Sequence, residues 1–407
     1  MKQNIAVILG GKSVEHEISV ISAVQAMAAL DGNKYDVYPV YIAKEGGFYY
    51  SECLKDIAQY RDIRELLYRC QQVDFVGREG KVYLVPAEQK ILGKTQPIAL
   101  LDAALPIVHG TNVEDGALQG YLKTLGLPFA GCDVLSSAVC MDKFVMKTLL
   151  NAGGFPVLEG LRIQAAQGLS VEDMIAKCEG KFTYPLIVKP VNLGSSVGIG
   201  RAKNAEELAD ALETAFTFAD TVLIEPCVQN LREINCAVLG DSEYAQASEC
   251  EEPIGNAEGW LDYSAKYEGG GKQASLGSKH SGAGGKSGGG MASLSRKIPA
   301  DIDSETRTAI QTCAVNAFRF LDCAGVARID FLMDAETGEF WLNELNTIPG
   351  SLSFYLWEPV GMKYSALLDA MLALALKAAR KRRELVFSFD TNVLANQGNL
   401  GGNKGTK

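Results

Sequence analysis

The chain alternates short unbroken apolar runs with longer stretches in which apolar residues recur every three or four positions. Ile5-Ala6-Val7-Ile8-Leu9 is the first such run. Five apolar residues in a row leave no polar face, which predicts a strand buried on both sides. The run ends in Gly10-Gly11 and leads into a helical pattern from about Ser13 to Leu30. Val37 to Ile42 predicts a second strand, and Ala104 to Val108 a later one that ends at His109-Gly110. Strands alternating with helices imply a parallel α/β sheet over roughly the first 130 residues. Ligands of such sheets sit beyond the carboxyl ends of the strands, a rim that would hold Glu15 and His109. His109 also reads as an ordinary turn residue.

A second unit begins near Cys132. Asp142-Lys143 opens a helix from Phe144 to Asn151, which Gly153-Gly154-Phe155-Pro156 closes. Tyr184 to Pro190 is a short apolar strand carrying Lys189, and Asn192 to Gly200 is a loop of small residues. Glycines and serines let backbone N–H groups close over phosphate oxygens, and a lysine adds a point charge. No Gly-Lys-Ser/Thr opens a helix here, so this is not a P-loop. Ala205 to Phe218 predicts a helix of structural character.

Val222 to Glu225 reads as a strand able to frame an adenine edge, and Arg232 to Asn235 starts another. From Glu268 to Gly290 the composition collapses into Gly, Ser, Lys and Ala, and so long a loop within a domain is functional or disordered. A helix near Ser304 to Leu321 follows. Ala370 to Arg383 is a helix whose basic end suits a helix C-terminus and reads as solvated. The expected division is 1–131, 132–220, 221–385 with a lid at 268–290, and a flexible tail over 386–407.

Arg328-Ile329-Asp330 opens one apolar run and Glu344-Leu345-Asn346 closes the next, with Asp334 to Gly338 as a turn between them. This predicts a β-hairpin. Side chains alternate along a strand, so Glu344 and Asn346 share a face. A one-residue bulge at Gly338 would set Asp330 opposite Glu344. Three hard oxygen ligands then converge, a set suited to magnesium shared with phosphates. On these residues alone, the cluster reads equally as the half-polar outer face of a hairpin.

Composition narrows the function classes. With 407 residues and 47% hydrophobic content the chain can bury a large core across two or three domains. A net charge of −10 gives no footprint for nucleic acid. No apolar run is as long as a membrane span and no signal peptide opens the chain, so a cytoplasmic protein is expected. Its ten cysteines are scattered, in the manner of reduced core residues, and three histidines exclude a histidine-rich metal site. Gly10-Gly11 lacks the third glycine of a dinucleotide fingerprint, which argues against a nicotinamide dehydrogenase.

Six blocks, taken in order, resemble the D-alanine–D-alanine ligases of the ATP-grasp superfamily over Ile5 to about Leu385. They are Gly10-Gly11 with Glu15 to Ser19; His109-Gly110 with Glu114-Asp115-Gly116; Met141-Asp142-Lys143; Val188-Lys189-Pro190 with Gly194 to Gly198; Asp262 with Lys266-Tyr267; and the hairpin through Pro349-Gly350. The resemblance implies an ATP-grasp fold preceded by a Rossmann-like parallel α/β domain. It also implies ligation of two D-alanines through an acylphosphate at the expense of ATP, for peptidoglycan precursor synthesis, by a homodimer. Phosphoryl transfer needs charge neutralisation and positioning. By resemblance, Lys143, Lys189, Ser196 and Lys266 would face ATP, Glu225 to Val228 would hold adenine, and Glu233 the ribose. Asp330, Glu344 and Asn346 would carry two magnesium ions, or manganese. Glu15 would hold the first D-alanine's ammonium in a network with Ser195 and Tyr267. His109 would lie near the activated carboxylate, and Arg328 would stabilise the developing oxyanion.

Two features depart from the family pattern. Where a small hydroxyl residue usually contacts the second substrate's carboxylate, Ser351-Leu352-Ser353-Phe354-Tyr355 brings a bulky Tyr355, with Ser353 as the nearby hydroxyl. An altered pocket would read D-serine or D-lactate instead. The lid is also longer and richer in glycine. The presence of Tyr267 favours D-alanine as both substrates.

Overall fold

The protein is seen here as a computed structural model that describes residues 2–88, 96–194, 197–254 and 296–387. Ser195, Ser196, Asp262, Lys266, Tyr267, the 268–290 segment and the tail from 388 lie outside the described residues.

The N-terminal unit contains β1 (Gln3–Gly10), α1 (His16–Ala29), β2 (Tyr35–Ile42), β3 (Phe48–Tyr50), α2 (Ile63–Tyr68), β4 (Gln71–Arg78), β5 (Lys81–Pro86), β6 (Ala99–Leu101) and β7 (Ala103–Pro106). The strands form one sheet in the order β6-β5-β4-β3-β2-β1-β7. Only β1 with β2, and β1 with β7, pair in parallel. The remaining pairs are antiparallel, which corrects the expectation of a parallel sheet. The cause is local. Glu79 and Gly80 both take positive φ between β4 and β5, so the chain reverses in a tight hairpin with no room for a crossover helix.

Three helices follow: α3 (Ala117–Leu125), α4 (Val134–Met141) and α5 (Lys143–Ala152). The central sheet holds β8 (Leu161–Gln164), β9 (Leu186–Pro190), β10 (Gly200–Ala202) and β11 (Thr221–Pro226), ordered β10-β9-β11-β8. Helices α6 (Val171–Glu179) and α7 (Ala205–Phe218) contribute to its core, where Leu208 and Leu212 meet Val188 and Val222. The last sheet holds β12 (Leu231–Gly240), β13 (Ala245–Pro253), β14 (Arg296–Lys297), β15 (Gly325–Asp334) and β16 (Phe340–Asn346), ordered β14-β13-β12-β15-β16. It packs with α8 (Ser304–Phe320), and α9 (Tyr364–Arg383) ends the described chain.

The packing moves two boundaries. β11, expected to open the last unit, is hydrogen-bonded between β9 and β8 and belongs to the central sheet. α5, expected in the central unit, buries Met146 and Leu150 with Phe318 and Phe331 of the last unit. An amphipathic helix goes where its apolar stripe finds a partner, whatever its place in the sequence. Leu367, Leu368 and Met371 of α9 likewise enter the first sheet's core beside Ile8 and Leu105. The basic end of α9 is not simply solvated. Lys377 pairs with Asp241 at 2.6 Å and Glu243 at 2.7 Å, and Lys381 also pairs with Glu243.

The hairpin forms as expected, with Asp330 opposite Glu344 and Arg328 opposite Asn346. The bulge is elsewhere. Register shifts between Asp330 and Phe331, which pairs with Leu342, so the extra residue is Asn343. Gly338 takes its positive φ within the turn itself, where its N–H donates to Asp334 O.

Candidate active site

Two clefts meet at the hairpin. The smaller, about 70 Å³, is bounded by Glu15, His109, Glu114, Arg328, Asn346 and Gly350. The larger, about 290 Å³, is bounded by Lys189, Glu225, Val228, Glu233, Asp330 and Asn343. Lys143, Gly194 and Glu344 line both.

The small cleft lies at the carboxyl rim of β1 and β7. Ser19 fixes that rim: its Oγ accepts from Gly10 N at 2.7 Å and donates to Ile107 O at 2.6 Å. Glu15 occupies the N-cap of α1 but makes no capping hydrogen bond there, so the cap position does not consume its carboxylate. Both Gly110 and Gly194 approach it closely. A Cβ on Gly194 would stand 2.9 Å from Glu15 Oε2, and one on Gly110, at φ +84°, 3.1 Å from the same oxygen. Ser13 Oγ donates to His109 O at 2.6 Å and ties the two rim segments together.

His109 is buried, with Nε2 3.2 Å from Ser22 Oγ. Ser22 Oγ already accepts the Ser351 N–H at 2.9 Å, so its own proton is free to donate to His109 Nε2. Burial lowers the His109 pKa to about 4, and the Arg328 charge adds to the fall. Glu114 joins the first unit to the segment after the hairpin. Its Oε2 accepts from Gly110 N at 3.0 Å, and its Oε1 from Ile348 N at 2.8 Å and Thr347 Oγ1 at 3.2 Å. Burial, followed by the charge of Glu15, raises its carboxyl to about 8.

On the hairpin, Arg328 holds Asp330 through two hydrogen bonds of 2.6 Å, from Nε to Oδ1 and from Nη2 to Oδ2. Such a fork adds geometric specificity as well as energy. Asn346 Nδ2 donates to Asp330 Oδ2 at 3.1 Å. Lys143 Nζ lies 3.5 Å from Glu344 and donates to Leu193 O at 2.6 Å. Asp330, Glu344 and Asn346 thus gather on one face, as predicted. Their two carboxylates and one amide oxygen are hard donors that fit magnesium. No group of three or more His, Cys, Asp or Glu side chains forms a metal cluster among the described residues.

The large cleft has a charged back wall. Lys189 Nζ lies 2.5 Å from Glu225 Oε2, and Lys147 pairs with Glu225 Oε1. Asn343 Oδ1 accepts from both lysines, at 3.0 Å from Lys189 and 3.3 Å from Lys147. Burial pushes the Lys147 ammonium down to about 7. Burial would raise the Glu225 pKa, but the two lysines outweigh it and hold the carboxyl below its usual value. Val228 and Glu233 line the same cleft.

Sequence reasoning missed Lys147 and Asn343. Lys147 had a signal: it lies one turn after Lys143, on the helix face that carries Met146 and Leu150. A lysine on an apolar stripe needs a buried partner. Conversely, Ser353 and Tyr355 line neither cleft. Ser351, Leu352 and Ser353 all take left-handed φ near +50°, and this turn carries both side chains into the interior. The Arg296 guanidinium lies 3.9 Å over the Tyr355 ring, and the phenol donates to Glu251 Oε1 at 3.4 Å.

Two family models match the chain. One described as D-ala D-ala ligase N-terminus matches residues 4–132, and one described as D-ala D-ala ligase C-terminus matches 149–281 and 290–373. The D-alanine–D-alanine ligase of Thermosipho africanus is 35% identical over 391 residues, covering 96% of this chain and 98% of that one. Its counterpart from Shouchella clausii is 37% identical over 402 residues, covering 96% and 100%. Among solved structures, the D-alanine–D-alanine ligase from Coxiella burnetii superposes with a TM-score of 0.76 at 29% identity, covering 94% and 96%. The VanG D-Ala:D-Ser ligase from Enterococcus faecalis does so at 0.72 and 30%, covering 92% and 100%. No single helix among the described residues is long and apolar enough to cross a membrane.

Proposed function

The chain belongs to the D-alanine–D-alanine ligase family, and we propose that its two clefts hold the amino acids and ATP on either side of Lys143 and Glu344. The fold is ATP-grasp behind an N-terminal α/β domain, and the reaction joins two D-alanines at the expense of ATP. The single observation that carries the assignment of the clefts is their common wall. A γ-phosphate entering from the large cleft meets a carboxylate held in the small one where Lys143, Gly194 and Glu344 line both.

In this reading Glu15 faces the first D-alanine's ammonium, and Arg328 faces its carboxylate. A carboxylate oxygen attacks the γ-phosphorus, and ADP leaves. Lys143 and Lys189 offset the charge that builds on the phosphoryl oxygens. The amine of the second D-alanine then attacks the acyl carbon, Arg328 stabilises the oxyanion, and phosphate departs. His109 stays neutral, with Nε2 directed to Ser22, and serves to orient the rim. The adenine and ribose fit beside Val228 and Glu233. Asp330, Glu344 and Asn346 would hold Mg²⁺ or Mn²⁺, which when bound neutralises phosphate charge. We also expect a homodimer in the cytoplasm, where ATP is supplied, as the family resemblance implies.

The departure at Tyr355 was the reason to consider D-serine or D-lactate; that Tyr355 is buried beneath Arg296 and does not itself line the small cleft supports D-alanine as the second substrate. The test is a substrate panel with ATP and Mg²⁺. D-alanine alone should release ADP and phosphate in step with dipeptide. Turnover only when D-serine or D-lactate accompanies D-alanine would overturn the assignment of the second substrate.

A further inference from the structure

We propose that Lys147 is a positioning residue for the nucleotide: from behind the wall of the large cleft it neutralises Glu225, so that the charge of Lys189 stays available to phosphate. The inference rests on the reading that this cleft holds the nucleotide. Lys147 lines neither cleft, whereas Lys189, Glu225 and Asn343 line the large one. The side chains of Lys147, Lys189 and Glu225 are 5%, 6% and 2% exposed, so water screens none of them well.

The bond pattern assigns the roles. Each oxygen of Glu225 has its own lysine: Oε1 faces Lys147 and Oε2 faces Lys189. Asn343 Oδ1 accepts from both. Two lysines thus share one carboxylate and one neutral amide, so Glu225 does not depend on Lys189 alone. With Lys189 as its only partner, Glu225 would hold that lysine. Drawing it toward phosphate would then strand a buried carboxylate, which is strongly unfavourable. Because Lys147 remains on the other oxygen, Lys189 can shift its hydrogen bonds to a ligand without leaving Glu225 unpaired. Lys147 is anchored for this task by α5, where it is buried between Met146 and Leu150.

The test is ADP affinity of the full chain, by calorimetry in Mg²⁺, alongside the thermal unfolding midpoint. Lys189→Met should weaken ADP binding by about tenfold or more, a factor equal to roughly 1.4 kcal/mol. Lys147→Met should weaken it by a similar factor, because Lys189 is then held by Glu225 alone. Removing the carboxylate should make Lys147 dispensable: Lys147→Met/Glu225→Gln should bind ADP within about threefold of Glu225→Gln. A merely structural role would instead cost the double variant as much as the single one. Should Lys147→Met fail to fold, the comparison of those two Gln variants decides. A loss at Lys189→Met with none at Lys147→Met overturns the inference and leaves the nucleotide reading standing. No loss at either overturns the nucleotide reading and the inference with it.

Discussion

Replacing Tyr355 by serine puts a small hydroxyl residue back where the family usually has one, and separates two accounts of this position. If Tyr355 reads the second substrate, the variant should change specificity. If it packs the interior, the variant should change stability, and its contacts favour this account. Its ring is buried beneath the Arg296 guanidinium at 3.9 Å, and its hydroxyl reaches Glu251, which also accepts from Arg296 Nη1 at 2.6 Å and Asn235 Nδ2 at 3.0 Å. Truncating a buried aromatic ring costs about 3–5 kcal/mol. The stacked guanidinium adds about 1 kcal/mol. The long 3.4 Å hydrogen bond contributes little, because Glu251 keeps two better partners. Tyr355→Ser should therefore lose roughly 4–6 kcal/mol, and Tyr355→Phe less than about 1 kcal/mol. Urea unfolding midpoints read both losses, and phosphate release with D-alanine, D-serine and D-lactate reads the specificity. The reasoning is refuted if Tyr355→Ser loses less than about 1 kcal/mol while turnover moves from D-alanine to D-serine or D-lactate.

Three further outcomes follow from the same geometry. Glu344→Gln should abolish phosphate release and weaken Mn²⁺ binding in the presence of ADP by at least about tenfold, with the thermal midpoint little changed; retained Mn²⁺ affinity would remove Glu344 from the ligand set. Gly194→Ala sets a methyl 2.9 Å from Glu15 Oε2 and should cut kcat/KM for D-alanine by roughly ten- to a hundredfold, and an unchanged value would place the substrate away from Glu15. His109 has a folded pKa of about 4 against 6.5 unfolded, so the unfolded chain takes up the proton first and stability is lost as pH falls from 6.5 toward 4. His109→Asn should flatten that slope by up to about 1.4 kcal/mol per pH unit, read from unfolding midpoints across the window.

Much of the architecture was legible because burial leaves a direct trace in the sequence. Ile5 to Leu9 is apolar throughout because β1 is flanked by β2 and β7 within the sheet and covered on its faces. The bounds of α7 match because Asn204 caps it, with its side chain accepting from Glu207 N. The antiparallel strands between 48 and 101 were not legible. β3 and β6 span only three residues each, and β4 is exposed at both ends, with few apolar residues to mark it. The allocation of α5 and β11 was not legible either, since a helix stripe or an apolar strand states that it needs a partner but not which one. At the site, the oxygen donors proposed for the metal were visible because acidic residues inside apolar runs stand out. The burial of Tyr355 was not legible, because spacing along a chain says nothing about a turn that runs left-handed for three residues.

The bulge shows why such a site resists reading from spacing alone. The sequence suggested Gly338, the residue most tolerant of positive φ, and the turn uses Gly338 for its own closure. The extra residue is Asn343, which has no glycine to announce it. In a regular strand Asn343 and Glu344 would point to opposite faces. The bulge lets both line the large cleft. Glu344 there approaches Lys143 on the side shared with the amino-acid cleft, while Asn343 receives Lys147 and Lys189 on the nucleotide side. One inserted residue thus places the carboxylate proposed for the metal beside the amide that receives Lys147 and Lys189, on adjacent positions of one strand. A shift of β16 would move Glu344 and Asn343 together, whereas Lys147 and Lys189 are carried by α5 and β9, so the hydrogen bonds to Asn343 are what couple the lysines to that strand.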